Sequence, residues 1–130
     1  MSDYPHIPGA KELFDWFGYW PNFHDANLLT ISREPDAVNC SLHAFRMTRE
    51  VDERGYYVLD RHAVVWLHMT GLREARIDEL IAPNVLLSLN LTRDDQGFRA
   101  EFFDVYGVET AVACENIAIT IKPGKPDETK

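Results

Sequence analysis

Residues Tyr56–Met69, YYVLDRHAVVWLHM, are the main basis for the fold that we expect for this chain. Successive side chains of a β-strand point to opposite faces of its sheet. Every second residue from Ala63 to Met69 is apolar, and the intervening Val64 and Trp66 are apolar as well. A strand with apolar side chains on both faces is typical of the middle of a sheet. We therefore expect this stretch to form a central strand.

Segments with a strand-like pattern continue on both sides of this stretch. Glu50–Gly55 and Arg93–Gly97 are short charged or glycine-containing connections between apolar runs, which is typical of hairpin loops. Consecutive hairpins favour antiparallel pairing. The pattern predicts about six or seven strands in hairpin order. Besides Tyr56–Met69, the predicted strands lie within residues 26–33, 38–47, 85–92, 98–106 and 117–121.

One helix is expected near the N-terminus. Pro8 and Gly9 precede Ala10–Phe17, and Gly18 follows it, so the segment has start and stop signals about two turns apart. Leu13, Phe14 and Phe17 share one face of such a helix. The fold class expected is therefore α+β, a mainly antiparallel sheet with one short N-terminal helix packed on it. Residues 72–81 fit a helix and a strand equally well.

The length and composition indicate one globular domain. The chain has 130 residues, of which 45% are hydrophobic and 26% are charged. We expect residues 1–121 to form a single domain. Residues 122–130, KPGKPDETK, read as a flexible C-terminal tail.

The charge distribution limits the classes of partner. The net charge is −8, shared equally between residues 1–65 and 66–130. No basic patch is large enough to neutralise several phosphates, which argues against binding nucleic acid or an anionic membrane. A charged partner would instead be basic. The N-terminus, MSDYPHIPGA, lacks a signal-peptide pattern, so we expect a cytoplasmic protein.

The motifs of common catalytic and metal sites are missing from the sequence. None of the five histidines has HExxH or short metal-ligand spacing. His62 and His68 share a strand face but lie about 20 Å apart. Ser41 and His43 point one way and Cys40 the other, without a nucleophile elbow. We therefore expect no catalytic residues, no metal and no cofactor.

Two segments carry candidate partner-binding residues. Trp20–Asp25, WPNFHD, combines aromatic and charged residues around a proline, and it serves either as a core plug or as a rigid binding platform. The Glu50–Glu53 loop is acidic. The candidate residues are Trp20, Phe23, His24, Asp25, Glu50, Asp52 and Glu53.

The segment Trp20–Ala26, WPNFHDA, leading into Leu28–Ile31, resembles the WPxFHDA-then-strand signature of the bacterial immunity protein 50 family. Ala82–Val85 and Ala113–Ile117 resemble later anchors of that family, although Ala113 stands where an aromatic residue is usual. The Glu50–Tyr57 hairpin is particular to this chain. The resemblance implies a small, cytoplasmic, non-enzymatic α+β protein that binds and neutralises a cognate toxin of a polymorphic toxin system.

Two alternatives stay open. The first is a small enzyme or metal-binding protein that uses His24 and Asp25, with His43 or His62 folded nearby.

The second alternative is a homo-oligomeric structural module, such as a homodimer. Its apolar strand faces, Trp66 with Val64 and Phe103 with Val105, would be buried against a second copy.

Overall fold

Six antiparallel strands and one short helix make up the fold in a computed structural model, which describes residues 7–19, 21, 23–77, 82, 84–107 and 109–126. The helix precedes all the strands. The elements are α1 (Ala10–Phe17), β1 (Asn27–Glu34), β2 (Ala37–Val51), β3 (Tyr57–Arg76), β4 (Asn84–Asp94), β5 (Gly97–Asp104) and β6 (Glu109–Pro123).

The strands close into a barrel with the order β1-β2-β3-β6-β5-β4. The antiparallel sheet and the short helix are as predicted, but the molecule is mainly β, so α+β describes it only roughly. The predicted hairpin order is wrong at one step, because β3 pairs with β6 and not with β4. Closure comes from β1 and β4, which pair at Asn27↔Val85 and Leu28↔Asn84.

Strand β3 has a neighbour on each side, as predicted for a central strand, although every strand of a closed barrel does. It pairs with β2 on one side and with β6 on the other. Ala63, Val65, Leu67 and Met69 are fully buried and belong to the barrel core. The ambiguous segment after it is resolved in part, because Leu72–Arg76 continues β3 as strand while residues 78–81 lie outside the described residues.

Helix α1 packs its buried side against the same core. Leu13 and Phe17 are buried, but Phe14 is half exposed and does not share their environment, contrary to the prediction. Ile119 of β6 donates its backbone N–H to Pro8 O at 2.7 Å, which joins the start of the helix to the barrel. Gly9 follows with a φ of 89°.

The C-terminal strand passes the expected domain end at residue 121. Lys122 and Pro123 of β6 pair with Val64 and Ala63 of β3. Residues 127–130 of the expected tail lie outside the described residues. Within the part of the chain that the structure describes, no helix combines the length and the apolar character needed to cross a bilayer.

Candidate functional site

The Phe23–Asp25 segment enters β1 through a constrained turn. Phe23 and Asp25 both have left-handed backbone conformations, with φ values of 61° and 64°. Such angles are costly for bulky residues and persist only where the surroundings impose them. Asp25 N donates to Leu86 O at 2.9 Å, and Ala26 N donates to Phe23 O at 3.1 Å. The turn is therefore held against β4.

This turn separates the candidate residues by role. The Phe23 side chain is 3% exposed and belongs to the core, so the structure contradicts its placement among partner contacts and supports the core-plug interpretation. His24 and Asp25 stay accessible, and His24 Nδ1 lies 3.1 Å from Asp25 Oδ2. Trp20 lies outside the described residues.

The β2–β3 hairpin extends beyond the barrel wall. The pairing of β1 with β2 begins at Asn27↔His43, and the pairing of β6 with β3 ends at Ala63↔Pro123. Strands β2 and β3 continue to pair as far as Val51↔Tyr57. We call the two-stranded part of this hairpin, residues 46–60, the ribbon.

The acidic loop at the tip of the ribbon is ordered by one of its own carboxylates. Asp52 Oδ1 accepts hydrogen bonds from the backbone N–H groups of Arg54 at 2.9 Å and Tyr56 at 3.1 Å. Asp52 N in turn donates to Tyr56 O at 2.8 Å. Asp52 is thus a turn-forming residue. Glu50 and Glu53, the other predicted acidic residues, are exposed beside it.

Exposed apolar side chains, which were not among the predicted candidates, accompany these acidic groups. Tyr56 and Tyr57 are 68% and 58% exposed. Val51 and Leu59 of the same ribbon are also exposed. Large apolar side chains clustered at the surface mark interaction sites more often than isolated ones do. The adjacent tyrosines next to a turn were the available sequence signal.

A β-bulge marks the base of the ribbon. The register shifts between Ala44 and Arg46 on β2, opposite Arg61, which has a left-handed φ of 52°. Arg46 donates from Nε and Nη2 to the two carboxylate oxygens of Asp60, at 2.8 and 2.7 Å. These hydrogen bonds and the adjacent charge lower the pKa of Asp60 and raise the pKa of Arg46.

Two histidines meet at this bulge. His43 Nε2 and His62 Nδ1 lie 3.0 Å apart, close enough for a hydrogen bond. Their ring centroids are 5.2 Å apart and their planes differ by 26°. Because the centroids lie much further apart than the two nitrogens, the rings meet end to end. Phe45 packs against both rings, with centroid distances of 5.6 Å to His43 and 6.0 Å to His62.

The helix and the C-terminal segment also contact the bulge. Trp16 Nε1 donates to Arg61 O at 3.0 Å, and the Arg61 guanidinium lies 4.9 Å from the centroid of the Trp16 ring. Gly124 N donates to His62 O at 2.7 Å. These groups, together with Lys125, line a shallow depression of about 510 Å³.

Ser41 and Cys40, two side chains considered above as possible nucleophiles, are buried in the structure. Ser41 is buried and its Oγ lies 2.6 Å from Thr30 Oγ1. Burial raises the pKa of the Cys40 thiol to about 12. Among the described residues, no group of three or more histidine, cysteine, aspartate and glutamate side chains is placed to hold a metal ion.

The faces named for a homo-oligomer differ in exposure. Val64 is buried and cannot contact a second copy, whereas Trp66 and Phe103 are half-buried and Val105 is exposed.

No protein-family model matches this chain, nor does any curated protein or solved structure.

Proposed function

We propose that this protein is a non-enzymatic binding module of the immunity type, which neutralises a cognate bacterial toxin by stoichiometric contact in the cytoplasm. The ribbon carries the contact surface. The single observation that carries this proposal is the exposure of Tyr56 and Tyr57 at the tip of a hairpin whose turn is ordered before any partner binds.

Two physical arguments support the ribbon as the contact surface. Tyrosine offers a large, rigid, amphipathic contact area and is enriched among the residues that dominate binding energy. An ordered turn also avoids the entropic cost of fixing a flexible loop on binding. The Asp52 carboxylate provides this order through its two backbone hydrogen bonds.

The charge of this chain indicates the charge that we expect on the surface of its partner. The net charge of the chain is −8, and the end of the ribbon carries exposed Glu50 and Glu53 together with exposed Arg49 and Arg54. Complementary charge mainly accelerates association and selects partners. The cognate toxin is therefore expected to present a basic surface with an apolar centre.

Co-expression with the toxin encoded beside this gene tests the proposal. Growth should be rescued, and the two proteins should purify as a complex. Continued killing while the protein is soluble and folded would rule the proposal out.

A matched pair of variants tests the surface. Tyr56→Ala and Tyr57→Ala should each weaken toxin binding by about tenfold or more in calorimetry. Tyr106→Ala is the control, because Tyr106 is 82% exposed but lies between β5 and β6. An equal loss in all three variants, or none in the first two, would contradict the choice of the ribbon.

A further inference from the structure

The contact between His43 and His62 depends on their protonation. The nitrogens that lie 3.0 Å apart can form one hydrogen bond only if one of them carries a proton and the other does not. If both rings are imidazolium ions, both facing nitrogens are donors and neither accepts. The contact then becomes a repulsion between two like charges. The observed end-to-end arrangement therefore excludes the doubly protonated pair.

The charged side chains around the pair are mostly positive, with one carboxylate among them. Arg46 and Asp60 flank the pair from β2 and β3, and the Asp60 carboxylate is already bound through both oxygens by Arg46. Arg61 and Lys125 add positive charge from the bulge and the C-terminal segment. On the other side of His43, a second depression is lined by uncharged polar and apolar side chains, including Asn27, Asn84 and Tyr106.

Titration of His43 agrees with this geometry. Burial lowers the pKa of His43 below its ordinary value, and the nearby charges of His62 and Lys125 lower it further.

The bulge that contains His62 also connects the ribbon to the barrel. The carbonyl oxygen of His62 accepts from Gly124 N, and the carbonyl oxygen of Arg61 accepts from the Trp16 indole. Arg61 keeps its left-handed backbone only while these contacts hold it. A separation of the two histidine rings therefore acts on the helix, the end of β6 and the ribbon together.

We infer that the His43–His62 pair is a proton-operated switch that sets how the ribbon is held on the barrel. With one proton between the two facing nitrogens, the pair ties β2 to β3 across the bulge. A second proton separates the rings, opens the bulge and loosens the ribbon. The effect of this switch on toxin binding rests on the proposed function, whereas the switch itself does not.

Nuclear magnetic resonance on the full chain tests the switch without any partner. The ¹⁵N shifts of both imidazoles are followed from pH 8 to pH 5, together with the Trp16 indole N–H and the Gly124 amide. The two rings should titrate in two steps separated by about one pH unit or more, as coupled groups do. The Trp16 and Gly124 signals should move with the second step.

A non-titrating pair is the matched variant. In the double variant His43→Gln, His62→Asn, the amides can retain a hydrogen bond in place of the two ring nitrogens but carry no charge. The Trp16 and Gly124 signals should then be independent of pH. His68→Asn is the control, because His68 lies on the same strand but contacts Asn39, with 2.8 Å between Nδ1 and Oδ1. This control should behave as the wild type does.

Three results would overturn the switch. They are independent titration of the two rings, titration of the rings without movement of the Trp16 and Gly124 signals, and persistence of those movements in the double variant. The first two need only the wild-type protein, so they apply even if the double variant does not fold.

Binding to the toxin separates this inference from the proposed function. If both hold, affinity should fall at least ~5-fold between pH 7.5 and pH 5.5 in the wild type and stay constant in the double variant. If the signals switch but affinity is unchanged, the link to binding fails and the switch stands. If toxin rescue fails while the signals switch, the proposed function fails alone.

Discussion

The indole of Trp16 donates a 3.0 Å hydrogen bond to the carbonyl oxygen of Arg61, and the Arg61 guanidinium lies 4.9 Å from the centroid of the same ring. One helical side chain thus contacts both the backbone and the side chain of a residue whose φ is 52°. Contacts of this kind are what allow a non-glycine residue to keep a left-handed conformation. Trp16 is therefore a support for the bulge.

Removing the indole N–H group of Trp16 should lower the stability of the protein, because its hydrogen bond to Arg61 is lost. Trp16→Phe retains a ring but leaves the Arg61 carbonyl without its donor, and we expect the free energy of unfolding to fall by about 1 kcal/mol. Urea denaturation measures the change. Trp66→Phe is the control, because Trp66 is half-buried on β3 and its indole has no hydrogen-bond partner among the described residues. Equal losses in the two variants would contradict the role of the Trp16–Arg61 bond.

Gly9 should be much less tolerant of substitution than Gly55. Both have a positive φ, 89° and 86°. An added Cβ at Gly9 would collide with the carbonyl oxygen of Ile119, whereas at Gly55 it would meet nothing within 4 Å. Gly55→Ala should cost about 1–2 kcal/mol from its backbone conformation. Gly9→Ala should cost an additional ~1–3 kcal/mol for overpacking, and similar thermal stability in the two variants would contradict this.

The two cysteines should be unreactive in the folded protein. Cys40 and Cys114 are both buried, and burial raises the pKa of the Cys40 thiol to about 12. The thiolate is the reactive form, so a neutral buried thiol reacts slowly. Ellman's reagent at pH 8 should label neither cysteine in the native state and both in denaturant. Fast labelling of one thiol under native conditions would show that the barrel interior is open there.

Stability should fall on acidification through the pH range of the histidine pair. The pKa of His43 is below its ordinary 6.5 in the folded protein. Below about 6.5 the unfolded chain therefore binds more protons than the folded chain, so the free energy of unfolding falls as pH falls. Above this pH the neutral ring is favoured in both states, and this contribution to stability is complete.

Urea denaturation between pH 8 and pH 5 measures this effect. The double variant His43→Gln, His62→Asn removes it and keeps the carboxylates, so the difference between the two pH profiles isolates the pair. Parallel profiles would contradict the prediction.

Side-chain alternation predicted the core-facing side of β3 correctly, because one face of a barrel strand is turned toward the core. Ala63, Val65, Leu67 and Met69 are buried on that face, although Val64 of the other face is buried as well. Alternation does not identify the neighbour of a strand. The pairing of Leu67 with Ile119 joins residues far apart in the chain, and no local signal encodes it. The predicted hairpin order therefore failed at the step from β3 to β4.

The histidine pair could not be predicted for a related reason. Counting residues along ideal strands assumes an unbroken register, and the bulge at Arg61 breaks it. His62 contacts His43 beside this bulge, whereas the sequence pattern was used to compare His62 with His68 and His43 with Ser41, and to place either histidine near His24 and Asp25. Arginine in a left-handed conformation carries no signature in the sequence. The burial of Phe23, in contrast, was one of the two interpretations that the aromatic segment allowed.

The two seams of the barrel differ greatly in length. Strands β3 and β6 pair from Ala63↔Pro123 to Arg76↔Ala111, whereas β1 and β4 pair at two positions within the described residues. The barrel therefore consists of two three-stranded halves, which are joined extensively by β3 and β6 and only briefly by β1 and β4. Local opening should begin where β1 pairs with β4. Amide protons near Leu28 should therefore exchange with solvent sooner than those near Leu67, whose exchange requires global unfolding.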